Sequence, residues 1–157
     1  MKKYEILPHP AELRLRIYGK TIEELFQNAA LALAETLNSK FKSPALPAGR
    51  QKSKLQFKTQ KLRIESTDIN SLLVDFLSEI LAKSQINKKV YKADFVKIRP
   101  ESAEGLHYLE AELIGFPIER FDEDIKAVTY QDVNIKLKTK NLKLKTKVWQ
   151  TDLVFDI

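Results

Sequence analysis

A chain of 157 residues with no cysteine is about the size of one domain and has no means of building a disulfide framework, a thiolate metal site or a cysteine nucleophile. Lys and Arg total 27 against 21 Asp and Glu; the resulting formal net charge of +6 favours a polyanionic partner only mildly, because charged residues make up 31% of the chain and most serve as solvated surface. The opening Met1–Pro10 carries Lys2, Lys3 and Glu5 and forms no secretory core, and no run elsewhere reaches membrane-spanning length, so a cytoplasmic protein with no membrane partner is expected.

The short, mixed stretch Tyr4–Leu7 is broken by Pro8 and Pro10, after which Leu13, Leu15 and Ile17 alternate with Arg14, Arg16 and Tyr18. Period two predicts a half-buried strand, closed by Gly19. Thr21 and Glu24 have the spacing of a capping box, and the stripe Leu25, Ala29, Leu33 and Leu37 predicts a helix over Ile22–Leu37 that packs on a sheet. Residues 38–54 are rich in Lys, Ser and Pro, with PALPAGR at 44–50, and are expected to be a flexible loop or insertion. Leu55, Phe57, Leu62 and Ile64 suggest one long strand or two short ones, with a change of phase near Gln60. Asp68 is the expected N-cap of a second helix over Ile69–Lys83, whose Leu72, Leu73, Phe76, Leu77, Ile80 and Leu81 give a wide apolar face. Strands are then expected at Val90–Ile98 and Leu106–Phe116, joined through Pro100–Gly105, and at Ile125–Leu137 and Leu142–Phe155, joined near Thr139–Asn141. Strands early and late with two helices between them predict an α+β fold, two helices packed on a largely antiparallel sheet, in a single domain spanning residues 1–157.

Chemistry is sparse. With four glycines in the whole chain there is no phosphate-binding loop, no nucleophile elbow and no pair of histidines at helical spacing. His107 reads as an ordinary strand residue; His9, between two prolines and near Glu12, has the better claim to a role, although a lone histidine is more often structural. Carboxylates carry more information. Asp156 is the penultimate residue and Ile157 the last, so a side-chain and a main-chain carboxylate lie about one residue apart. If the final strand lay beside the one starting at Leu13, Glu12 would add a third oxygen donor, a set suited to a hard divalent cation. Chain ends usually fray, but Trp149, Leu153, Val154 and Phe155 are apolar almost to the end and predict a terminus held in the sheet.

Four blocks in chain order resemble the archease family: HPAELRLRIYGKTIEELFQNAA (His9–Ala30), which is similar to the family's opening motif of histidine, any residue, alanine and aspartate; SLLVDFLSEIL (Ser71–Leu81); IKAVTYQDV (Ile125–Val133); and the ending VFDI (Val154–Ile157). The resemblance implies a non-enzymatic accessory protein of the GTP-dependent RNA ligase that seals tRNA halves, one that promotes guanylylation and repeated turnover with a bound divalent metal, calcium by preference. Carried over by position, it implies metal ligands at Glu12, Asp156 and Ile157 and ligase-contact candidates at His9, Lys126, Tyr130 and Gln131. This sequence departs from the family in having Glu12 where aspartate is usual and Gln131 where histidine is usual. Glutamate keeps the charge but moves its oxygens out by one methylene, which a flexible calcium shell absorbs better than an octahedral magnesium one; glutamine replaces a titratable ring with a hydrogen-bonding amide.

For Lys126 and Tyr130 the plainer assignment, a solvated lysine and a packed tyrosine, carries equal weight on strand statistics. The lysines from Lys136 to Lys147 read first as the wet face of a hairpin guarding a sheet edge, with a contact to tRNA as the second reading. Two other functions compete: a basic RNA-binding module with no effect on a ligase, and a metal-dependent hydrolase built on His9 and Glu12, which no second histidine or nucleophile supports.

Overall fold

A computed structural model of the chain describes residues 2–41, 58–99 and 104–157. Helix α1 spans Ile22–Leu37 as its cap and stripe predict. The Glu24 amide donates to the Thr21 hydroxyl at 3.0 Å, while the Glu24 carboxylate accepts from the Lys20 amide at 3.3 Å, one residue before the usual partner of a capping box. Helix α2 spans Ile69–Asn87, with Asp68 accepting from the Ser71 amide at its start. It runs four residues beyond the expected Lys83, because no glycine or proline intervenes and Ser84 is wholly buried; Lys88, at φ 52°, turns the chain out of the helix.

The expected single sheet is two, and every strand pairing in both is antiparallel. In the first, β1 (Tyr4–Leu7) pairs with β2 (Leu13–Gly19), and β2 with the long β8 (Thr146–Asp156); the far edge of β8 is shared by β6 (Ala127–Val128) and β7 (Lys136–Asn141). In the second, β5 (His107–Pro117) lies between β3 (Thr59–Ser66) and β4 (Lys89–Arg99), which carries a bulge between Ala93 and Phe95. Helix α1 packs on β2 and β4, and α2 on β3, β4, β5 and β6, so the two helices fill the space that both sheets border. Phe26 of α1 and Phe76 of α2 meet there with ring centroids 5.8 Å apart. Leu15, Ile17, Leu153 and Phe155 from the first sheet and Tyr91 and Leu113 from the second are fully buried in the same core.

Three expectations need correction or fall outside the described residues. The strand expected over Ile125–Leu137 is broken: only Ala127–Val128 and Lys136–Leu137 are in strands, and side chains from other elements take over the hydrogen bonding between them. Leu142–Lys145, expected as the start of the last strand, is the hairpin turn, with Lys145 at φ 53° and Leu142 and Leu144 in solvent. The 44–50 segment, most of the expected 38–54 loop, the Leu55–Phe57 piece of strand and most of the Pro100–Gly105 connection lie outside the described residues.

Gly19 joins β2 to α1 where the chain has no room for a side chain. A Cβ there would sit 2.4 Å from the Leu25 nitrogen and 2.8 Å from the Thr21 carbonyl oxygen, both backbone atoms of the helix start. Gly19→Ala is therefore expected to destabilise the protein by about 3 kcal/mol, at the upper end of ordinary overpacking because backbone cannot yield as a side chain does. Urea denaturation checks it; a loss below about 0.5 kcal/mol would show that the junction adapts.

Candidate functional site

The end of β8 lies between two neighbours. On one side β2 pairs with it from Gly19↔Trp149 to Leu13↔Phe155, and the same register carried one residue further sets Glu12 abreast of Asp156. On the other side Ala127 pairs with Asp156, and the Lys126 amide donates to the Asp156 carbonyl at 2.7 Å. Thr129 adds two hydrogen bonds to the Val154 carbonyl, from its amide and its hydroxyl, each at 3.0 Å. With Leu153, Val154 and Phe155 at 1% exposure or less, the last strand is held to its final residues, and strand alternation turns Asp156 away from the core face that Phe155 occupies.

Glu12 is the informative side chain here. Its Oε2 atom is buried and, among the described residues, has no hydrogen-bond partner. A carboxylate oxygen removed from water with nothing to accept from costs free energy unless a proton or a cation reaches it. His9 is the nearest candidate, its Nδ1 4.0 Å from that oxygen, beyond hydrogen-bonding range. Among the described residues no three His, Cys, Asp or Glu side chains are grouped closely enough to hold a metal ion between them.

The chain on either side of β6 is clasped by helix α2 and strands β2 and β8. Gln85 donates to the Ile125 carbonyl at 2.9 Å, which fixes the backbone just before Lys126, and Ile125 itself is fully buried. The Tyr130 hydroxyl donates to Asp75 on α2, whose second oxygen accepts from Ser66 at 2.5 Å. Further on, Asn70 accepts from the Ile135 amide and Thr151 from the Asn134 amide, both at 2.9 Å. Asp132, at φ 61°, is ion-paired to Arg14 of β2 at 2.6 Å. The hydrogen bond to Asp75 raises the Tyr130 phenol above its ordinary value, because ionisation removes the proton it donates; burial and the nearby negative charge add to the effect.

Of the residues singled out from sequence, Glu12, Asp156, Ile157 and Lys126 thus come to one end of the first sheet, with His9 beside Glu12. Tyr130 and Gln131 lie further along the same loop, exposed, and Tyr130 is 61% accessible despite its tether. Sequence reasoning missed the residues that hold this loop: Asn70, Asp75 and Gln85 on α2, and Arg14 on β2. Asp75 left a signal, a charge set between Val74 and Phe76 on an otherwise apolar stretch of helix.

The model of the Archease protein family matches residues 4–157. The protein archease of Methanosarcina barkeri is 32% identical over 161 residues, covering 99% of this chain and 97% of that relative. The protein archease of Pyrococcus furiosus is 31% identical over 164 residues, covering 100% of both. The solution structure of Methanobacterium thermoautotrophicum protein 1598 matches with a TM-score of 0.73 and 24% identity over 100% of both chains, a likeness of fold.

The Tyr130 tether has a pH signature. A phenol whose folded-state value is raised contributes stability that is complete below the ordinary value of 10.0 and is lost as pH rises through the raised folded value. Ring-carbon NMR titration should find Tyr130 ionising above 10.0 in the native chain and closer to 10.0 in Asp75→Asn. An unshifted Tyr130 in the native chain would mean the contact does not persist in solution.

Proposed function

Because this chain belongs to the archease family, we propose that it is a non-enzymatic, cytoplasmic helper of a GTP-dependent tRNA-splicing RNA ligase, promoting guanylylation of that ligase and its repeated turnover with a bound divalent cation. The observation that carries this reading is the buried Oε2 of Glu12, which among the described residues has no hydrogen-bond partner and which the β2–β8 register, carried one residue past Leu13, sets abreast of Asp156. Glu12, Asp156 and a main-chain oxygen of Ile157 would hold the ion. Calcium is the better fit, since it takes six to eight oxygens at about 2.3–2.6 Å in flexible geometry and so tolerates the extra methylene of Glu12. When bound, such an ion supplies positive charge for the oxygens of a phosphate group.

The chain's own residues do the rest. The backbone of Lys126 braces Asp156, and its exposed ammonium sits on the rim of the same end, where it would meet the ligase or the ligase's nucleotide. Tyr130 and Gln131, on a loop anchored to α2 and β2, would present a preformed contact surface, which lowers the ordering cost of docking. Gln131 can position a partner through its amide but cannot carry a proton. Among the described residues no helix is long and apolar enough to cross a membrane. RNA would reach the complex as the ligase's substrate.

With the cognate ligase limiting, adding this chain should raise multiple-turnover ligation. Glu12→Ala and Asp156→Ala should each reduce the stimulation at least about tenfold, the scale on which a weakened metal site loses affinity. Full stimulation by both variants would remove the cation from the mechanism; no stimulation by the native chain of a ligase shown to be active would reject the helper reading itself.

A further inference from the structure

The hairpin formed by β7, the turn Leu142–Lys145 and the start of β8 carries six lysines, at 136, 138, 140, 143, 145 and 147, and no acidic residue occurs between Asp132 and Asp152. Setting those six aside leaves 21 basic residues against 21 acidic ones, so the whole formal excess of +6 resides on this one hairpin. All six are exposed, and among the described residues none has an ion-pair partner. Lys140 instead lies over the Tyr18 ring, 4.2 Å from its centroid.

Register sets where this charge points. Lys136 pairs with Gln150 and Lys138 with Val148, so both share the sheet face on which Arg16 pairs with Asp152. There they line an open cleft of about 460 Å³ together with Arg14, Arg16 and Gln150. Arg14 is neutralised by Asp132 and Arg16 by Asp152, in contacts of 2.6 and 2.8 Å. Among the described residues Lys136 and Lys138 have no such counterion, and they follow each other along the strand at about 6.6 Å, close to the spacing of successive phosphates in a nucleic-acid strand. Protection of a sheet edge accounts for lysines on β7, but not for those on the turn and on β8.

We propose that this cleft and the lysine row beside it bind the phosphodiester backbone of a structured RNA, duplex in preference to single strand. Phosphate contacts from flexible ammonium groups supply affinity and read helix shape without reading sequence. Single-strand binding would call for exposed aromatic rings on which bases stack. Among the described residues this face offers none: Trp149, opposite Leu137, projects to the other side of the sheet, and Tyr18 is only 6% exposed. A lipid surface would engage the tip of the hairpin, where Leu142 and Leu144 are exposed, and not the cleft along its side. The choice of RNA over another phosphodiester deepens the ligase-helper reading and rests on it; the phosphate contact rests on the charge distribution alone.

The test is fluorescence anisotropy of the full chain with a short RNA stem-loop, a single strand of equal length, polyglutamate, and vesicles containing phosphatidylserine. The stem-loop should bind at low salt, more tightly than the other three, and weaken as salt rises. Lys136→Gln combined with Lys138→Gln should lower stem-loop affinity on the order of tenfold and flatten the logarithmic salt slope by about two. Lys61→Gln combined with Lys97→Gln, on the other sheet, should change neither, and matching thermal midpoints would show both variants folded. The proposal is overturned if the first variant binds the stem-loop like the native chain, or if single strand, polyglutamate or vesicles bind as tightly. Stimulation of ligase guanylylation, measured with GTP and no RNA, should survive in Lys136→Gln/Lys138→Gln. Its absence in the native chain would defeat the helper reading without touching the RNA contact.

Discussion

Strand β8 is hydrogen-bonded along both edges, to β2 over Leu13–Gly19 on one side and to β7 and then β6 on the other. Residues near a chain end gain little by ordering unless something is buried with them. Here Leu153 and Phe155 are, each with no exposed surface, and burial of such side chains contributes roughly 1.5–3 kcal/mol apiece. Everything proposed for the acidic end follows from that pinning. Residues 144 positions apart in sequence, Glu12 and Asp156, become neighbours because one strand cannot slip against the other without turning Phe155 and Leu153 into solvent.

The second constraint is the clasp on the loop after β6. A strand pairs its backbone with another strand; between Thr129 and Ile135 this chain pairs its backbone and side chains with Val154, Thr151 and the polar residues of α2 instead. The exchange leaves the loop's hydrogen bonds made while freeing Tyr130 and Gln131 to face outward. Helix α2 thereby has two jobs on two faces: its leucines build the core, and Asn70, Asp75 and Gln85 hold the chain on either side of β6.

How much of this was legible beforehand divides along the range of the interactions. The α1 bounds came from Thr21, Glu24 and a 3.6-residue stripe, all local, and the match in β4 and β5 likewise reflects local alternation. The break within 125–137 was not legible, because the groups that replace the ladder, Asn70 and Thr151, lie far away in sequence, while the apolar Val128, Val133, Ile135 and Leu137 mimic a continuous strand. The hairpin turn was misplaced for a related reason: Leu142 and Leu144 alternate with lysines as a strand would, yet they are solvent-exposed. At the site, the proximity of Glu12 to the last strand was an inference from apolar residues at the chain end, and the lack of a hydrogen-bond partner for its Oε2 among the described residues needed coordinates to be seen.

The most direct test of the central claim is a titration of the isotopically labelled chain with substoichiometric Mn²⁺, a paramagnetic stand-in for calcium, followed by NMR. The account predicts that signals of Glu12, Asp156, Ile157 and the Lys126 amide broaden first and together, and that excess Ca²⁺ restores them. Broadening confined to the acidic stretch Glu119–Asp124, or none at all, would contradict it.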